Sequence, residues 1–293
     1  MMYMIAKSTM QDSGKKSQAG VEFVKNEPYT DNSEGLPPGQ FTEKIYFLSA
    51  YMPKFITMLL PSACSNVVEL AWNAYPVCRT IYFSPYFGDK FTLQIDSVYA
   101  DAQPPGESAN HEKNGKIKKP SKAVNGGITN DMDVDENGAY YNVHKLSKDE
   151  LKERQVVFLD MCSEEYLALP PEEDPTIYYS ERTQRGRWCV GFHKTHKPLM
   201  YAYKLVKFEF RKMGMSKVEH WVQNYGMRNS FLRYARRIVC WIDSWFGMSM
   251  EQIRDLEKQA AKIAHDRLDD TETEFAGTMS KQNSFQGHQV SEG

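Results

Sequence analysis

In Gly39-Gln-Phe-Thr-Glu-Lys-Ile-Tyr46 the residues alternate strictly in kind, a period of two that fits an extended strand. Thr42 and Lys44 leave one face of that strand, while Phe41 and Ile45 belong to the other. A hydroxyl and an ammonium therefore point together, one pleat apart, at something polar. A second stretch, Ala71-Trp-Asn-Ala-Tyr-Pro-Val-Cys-Arg-Thr80, sets an amide (Asn73), a thiol (Cys78) and a hydroxyl (Thr80) among aromatics. Polar groups inset in apolar sequence either satisfy one another or hold a ligand with several hydroxyls. Both readings stand at this point.

The rest of the chain supplies the surroundings. From about Val21 to Val98 the pattern is short and strand-like, with a turn-rich interruption from Pro28 to Gly39. Between Pro53 and Trp72, the residues Phe55, Met58, Leu59, Val67, Val68, Leu70 and Ala71 suggest short helical pieces. Over 101–138 Pro, Gly, Asn, Lys and Asp replace large apolar residues, the composition of a solvated insertion. Order returns at Tyr141, with a helix or strand pair expected through Met161. A polar loop, Pro170 to Arg187, precedes a long strand from Leu199 to Phe210 that carries Lys204 inside it.

Ser216 is expected to cap a long helix whose apolar positions, from Trp221 to Trp245, recur at three and four. Gly226 is expected to kink it. Ser249-Met-Glu-Gln252 reads as a capping box opening a second helix to about Leu268. Strands first and long helices last give an α+β single domain over 1–268 with a polar tail from 269 to 293.

Composition closes off several function classes. Acidic and basic residues nearly balance at 38 against 36, unlike a dedicated nucleic-acid binder. No stretch is long and apolar enough to span a membrane, and the amino terminus lacks the pattern of a secretory signal. The five cysteines are scattered and never spaced C-x-x-C. That argues against a disulfide framework or a zinc site, and for a reducing cytoplasm. Asp131-Met-Asp-Val-Asp135 imitates the start of a calcium loop, but its glycine and closing residue fall at the wrong positions. Lys113 to Lys122 reads as a solvated basic run. His193, His196 and Cys189 read as loop residues, because Lys194 and Lys197 lie among them.

The last helix holds one anomaly. Ile253, Leu256, Ala260 and Ala264 form its inner stripe, and Glu257 falls on that same face. A buried carboxylate must be paired or bound. Periodicity alone favours a boundary glutamate bridging to Arg254 or a nearby lysine. The alternative is that Glu257 closes over a pocket lined by Thr42, Lys44 and Asn73.

Seven segments, in order, resemble the phosphatidylinositol transfer proteins. They are Lys25-Asn-Glu-Pro-Tyr29, Gly39 to Tyr46, Ala71 to Thr80, Asn142-Val-His-Lys-Leu146, Glu173-Asp-Pro175, Ala202-Tyr-Lys-Leu-Val206 and Cys240-Trp-Ile-Asp243. The resemblance implies a concave, mostly antiparallel sheet closed by two long helices around one phospholipid, headgroup inward. By the same resemblance Thr42, Lys44, Asn73 and Glu257 would contact inositol. Thr80, Lys204 and Ser97 (more often threonine in the family) would contact the phosphate, and Cys78 would lie beside the headgroup.

The chemistry is coherent, since a ring of hydroxyls, each donor and acceptor, needs both complements. Glu257 only accepts, Lys44 only donates, and Asn73 and Thr42 do both. No cofactor or metal is implied. The implied activity is exchange of phosphatidylinositol, and with it phosphatidylcholine, by a cytoplasmic monomer that touches membranes transiently. A sensor presenting lipid to a kinase is the first rival. A lipid hydrolase is the second, although no Gly-x-Ser-x-Gly elbow occurs.

Members of that family usually begin about a strand earlier, with a phosphate-contacting glutamine there, so lipid retention is the property expected to suffer. They also carry a membrane-docking tryptophan pair where this chain reads Lys212-Met213. Arg211, Lys212 and Met213 are therefore expected to dock more weakly and with greater salt sensitivity. Ser180 matches a regulatory phosphorylation position, against the plainer reading of an ordinary exposed serine.

Overall fold

The structure is a computed structural model and describes residues 20–32, 34–47, 66–101, 142–163, 170–212 and 214–266. Five strands follow one another: β1 (Gly20–Tyr29), β2 (Gly39–Phe47), β3 (Asn66–Ala74), β4 (Val77–Phe83) and β5 (Phe91–Asp101). A short helix α1 (Lys148–Glu153) and a small ribbon of β6 (Tyr179–Ser180) with β7 (Arg185–Gly186) precede β8 (Met200–Phe210). The six long strands form one sheet in the order β1-β2-β3-β4-β5-β8, antiparallel throughout. Strands plus later helices make this the expected α+β architecture.

The helical half departs from the sequence expectation in detail. α2 (Ser216–Trp221) runs into a π-helical turn (Val222–Gly226), which runs into α3 (Met227–Cys240). Met215, not Ser216, occupies the cap position, and no side chain caps the helix. Gly226 does mark the irregularity: a Cβ there would come within 3.2 Å of the Trp221 ring. The stripe then breaks at Trp241, leaving α4 (Ile242–Trp245) as a single turn. α5 (250–266) opens as expected, with Ser249 and Gln252 exchanging backbone and side-chain hydrogen bonds at 2.8 and 3.2 Å.

Two expectations fail. Residues 66–72 form strand β3 rather than helix, because Val68 to Trp72 pair on both sides and β-branched residues such as Val67 and Val68 suit a pleated surface. Between 142 and 161 only α1 is regular. Its capping box, Ser147 with Glu150, starts a helix with no buried face to prolong it. The calcium-like segment, the basic run and the tail lie outside the described residues.

The apolar core joins sheet to helix. Leu93, Ile95, Phe208 and Phe210 pack with Phe87, Met215 and Val218, against which Trp221, Met227 and Phe231 are laid. The opposite face of α3 buries Leu232 against Met161, Cys162 and Trp188. Arg236 ties that cluster together by donating to the carbonyls of Met161 and Ser163 at 2.6 and 2.8 Å.

Gly39 is required by close approach: a Cβ on it would lie 2.2 Å from the carbonyl oxygen of Asn73. Gly39→Ala is expected to force β2 and β3 apart where Asn73 is placed. The cost should be about 1–3 kcal/mol, read as a lower midpoint in chemical denaturation. An unchanged midpoint would show that the two strands yield without loss.

Candidate functional site

Antiparallel register builds the site. Gln40 pairs with Asn73, Asn73 with Cys78, Cys78 with Ser97, and Ser97 with Lys204, so one row of polar side chains crosses five strands. The next row is Asn26, Thr42, Ala71, Thr80, Ile95 and Val206. The third is Phe23, Lys44, Glu69, Tyr82, Leu93 and Phe208. Rows two residues apart are separated by about 6.6 Å. Along β5 and β8 polarity falls on this face, from Ser97 and Lys204 through Ile95 and Val206 to Leu93 and Phe208, while β2 and β3 keep Thr42, Lys44 and Glu69 beside them. That division suits a molecule with a polar head and apolar tails.

The sheet brings together the residues expected at the headgroup. Cys78 donates to Asn73 Oδ1 at 3.3 Å and lies 3.7 Å from Thr80 Oγ1, while Asn73 reaches the Gln40 carbonyl. Burial pushes the Cys78 thiol up, opposed by its hydrogen bond with Thr80, so it is a packed thiol rather than an activated nucleophile. Thr42 is wholly enclosed, and its hydroxyl has no hydrogen-bond partner among the described residues. A buried hydroxyl without a partner is costly, and Thr42 therefore has hydrogen-bonding capacity to offer a ligand.

Lys204 donates to Ser97 Oγ at 3.0 Å and lies over the rings of Tyr99 and Phe231 at 5.8 and 5.1 Å. Among the described residues it forms no ion pair. Burial pushes its ammonium below the usual lysine range, so in the lipid-free protein its protonation opposes folding. That opposition fades as pH rises through the lowered value toward the unfolded one. A bound phosphodiester would favour the charged form. Lipid retention is accordingly expected to weaken as pH rises through the lowered value toward the ordinary lysine value. Measured release rates that stay flat over that range would contradict the assignment.

Glu257 makes the bridge to Arg254 that periodicity favoured and adds a partner that neither reading of the sequence named. It is buried, accepts from Arg254 Nη1 at 2.6 and 2.9 Å, and accepts from Asn26 Nδ2 at 2.7 Å. The bridge to Arg254 is thus present, and the carboxylate also reaches the sheet, but through β1. Asn26 is the register partner of Thr42, so Glu257 sits one strand from the Thr42 row. A β-bulge makes this possible. Regular pairing from Phe23 and Lys44 would set Lys25 opposite Thr42, and the shift between Phe23 and Lys25 sets Asn26 there instead. A cavity of about 170 Å³ opens here, lined by Phe23, Asn26, Arg254, Glu257, Lys258 and Ala261 among others.

Lys44 does not wait for Glu257 to neutralise it. Its ammonium bonds to Glu69 on β3, which also accepts from the Tyr46 and Tyr82 hydroxyls at 3.0 and 2.6 Å. Sequence reasoning missed Glu69, Asn26 and these two tyrosines. The signal for Glu69 was parity: it lies four residues before Asn73 and shares its face once the segment is a strand.

The remaining positions lie elsewhere. Arg211 pairs with Glu209 at 3.5 Å and donates to the Asp89 carbonyl, while the Lys212 ammonium sits 4.9 Å from the Phe87 ring. Both are at the far end of β8, beside the half-exposed Tyr86. Met213 lies outside the described residues. Ser180 is not an exposed serine: it is buried, donates to Asp243, and accepts from Thr183 Oγ1 at 2.7 Å. Among the described residues no helix is long and apolar enough to cross a membrane, and no cluster could hold a metal ion.

Comparison with known proteins agrees with this architecture. The family model for phosphatidylinositol transfer protein matches residues 1–132 and 128–262. Phosphatidylinositol transfer protein 2 of Dictyostelium discoideum is 35% identical over 264 residues, covering 88% of this chain and 85% of that protein. Phosphatidylinositol transfer protein 1 of the same organism is 32% identical, over 92% of this chain and 89% of its own length. The human membrane-associated phosphatidylinositol transfer protein 2 is 34% identical over 88% of this chain, which spans only 17% of that longer protein. With a family match across most of its length and relatives covered nearly end to end, this chain belongs to the phosphatidylinositol transfer protein family.

Proposed function

We propose that the protein encloses one phospholipid and exchanges phosphatidylinositol, together with phosphatidylcholine, between membranes without a covalent step. The observation that carries this is the fall in polarity along β5 and β8 on one face of the sheet. A polar row ending in Lys204 and the Thr42 hydroxyl, partnerless among the described residues, lie beside a wall of aromatic and aliphatic side chains. In this reading Thr42, Lys44, Asn73 and Glu257 read the inositol hydroxyls, with Cys78 packed alongside. Lys204, Ser97 and Thr80 hold the phosphodiester with a cation and two hydroxyls.

Two acyl chains with roughly 30 buried methylenes are worth about 24 kcal/mol against release into water. Cargo can therefore leave only at a bilayer, which takes up the chains at nearly equal free energy. The end of the molecule that carries Tyr86, Arg211 and Lys212 is the docking face in this account, with Met213 next in sequence. The exposed pair of Arg211 with Glu209 is weak, and Lys212 meets only aromatic rings among the described residues. Both stay available to anionic headgroups, so docking should be salt-sensitive. Ser180 is the candidate regulatory position. A phosphate there would face Asp243, so modification would have to loosen the ribbon of β6 and β7 from α4.

Movement of labelled phosphatidylinositol from donor to acceptor vesicles tests the proposal. Catalytic amounts of protein should move many lipids per chain. Stoichiometric binding with negligible exchange would instead identify a sensor.

A further inference from the structure

Glu69 has no exposed surface, and Lys44 is 1% exposed. The carboxylate lies on the inner strand β3 as register partner of both Lys44 and Tyr82. It accepts from the Lys44 ammonium and from the Tyr46 and Tyr82 hydroxyls. Burial and the charge on Glu69 push both tyrosines well above their usual range, so both remain donors. The cluster is internally complete: one cation, one anion and two neutral donors, with two ammonium hydrogens left over.

The headgroups the site would hold differ in what they can do for that ammonium. An inositol ring offers hydroxyl oxygens that accept from it. A choline headgroup offers none and brings a second cation. A buried ammonium without a counter-ion would tolerate the first and repel the second.

We propose that Glu69 is a specificity-determining residue, the resident counter-ion that keeps Lys44 compensated whichever headgroup is enclosed and so lets one cavity hold both a polyol and a choline lipid. The inference rests on the exchange reading above.

The test uses the full chain as wild type, Glu69→Gln, and the double variant Lys44→Met with Glu69→Gln. Each is incubated with vesicles of equal phosphatidylinositol and phosphatidylcholine, and the bound lipids are quantified by mass spectrometry. Glu69→Gln should lower the ratio of bound phosphatidylcholine to phosphatidylinositol by at least about tenfold. The double variant, which lacks the stranded cation, should recover phosphatidylcholine to within about threefold of wild type and take up little phosphatidylinositol. Both variants disturb the tyrosine contacts equally, so recovery isolates charge from packing.

If Glu69→Gln fails to fold, recovery of folding and phosphatidylcholine uptake in the double variant supports the proposal, and no recovery overturns it. An unchanged ratio, or an equal fall in both lipids without recovery, also overturns it. A wild type that carries neither lipid sinks the exchange reading itself. One that carries phosphatidylinositol alone leaves phosphatidylinositol exchange standing, removes phosphatidylcholine from that reading and overturns this inference.

Discussion

Thr42→Val should remove phosphatidylinositol uptake selectively while leaving thermal stability unchanged or raised. Valine matches threonine in shape and suits a strand, and the hydroxyl it deletes has no partner among the described residues. The folded chain therefore loses no internal hydrogen bond. The bound lipid does lose one, in an enclosure where a ring hydroxyl left unpaired costs about 1–3 kcal/mol, or roughly 5–150-fold in affinity. Choline has no hydroxyl to strand, so phosphatidylcholine uptake should change far less. Competitive uptake from mixed vesicles, with Tm recorded on the same preparations, measures both. An equal fall for the two lipids would remove Thr42 from inositol recognition.

Lys204→Met should give the opposite pattern, loss of both cargoes together. The phosphodiester is common to the two lipids, and Lys204 is the described cation in the polar row without an ion-pair partner. A hydrogen bond to a charged group is worth about 1.5–3 kcal/mol, so each lipid should bind roughly 10–150-fold more weakly. Methionine keeps the length of the stem against Tyr99 and Phe231 and removes a cation that burial disfavours. The lipid-free protein should therefore lose no stability. Retention by this variant should also lose the weakening at alkaline pH expected of the wild type. Selective loss of one lipid would place the lysine at the headgroup tip instead.

Contrast between these two variants is more informative than Lys44→Ala. Lys44 and Glu69 form a fully enclosed pair, and deleting one partner leaves the other charge buried, at about 3–5 kcal/mol. A phenotype of Lys44→Ala would mix recognition with folding. Thr42 and Lys204 avoid that confusion for different reasons, one being neutral and the other only partly enclosed.

Much of the site was legible because strand periodicity is rigid. Once Gly39 to Tyr46 is extended, Thr42 and Lys44 must share a face. Lys204 inside Leu199 to Phe210 is equally hard to place elsewhere. Glu257 was visible as a charge on an apolar stripe, and its bridge to Arg254 followed from spacing.

Glu69 was not legible, because its segment has apolar residues on both sides and reads equally as helix. Pairing decides it, with β4 through a tight hairpin and with β2, whose last residue Phe47 meets Asn66 from 19 residues away. Asn26 was hidden by the β-bulge, which moves every later residue of β1 by one position and leaves no mark in local composition. The π-helical turn was foreshadowed by Gly226, but its form depends on the Trp221 ring packing over that glycine. Ser180 looked exposed because its neighbours are polar, whereas Asp243, 63 residues away, accepts its hydroxyl.

Native mass spectrometry after incubation with mixed phosphatidylinositol and phosphatidylcholine vesicles tests the central claim most directly. The account predicts one phospholipid per chain, of either kind on the wild type and overwhelmingly phosphatidylcholine on Thr42→Val. A wild-type chain that emerges without lipid, or a Thr42→Val chain that keeps phosphatidylinositol in the wild-type proportion, would contradict it.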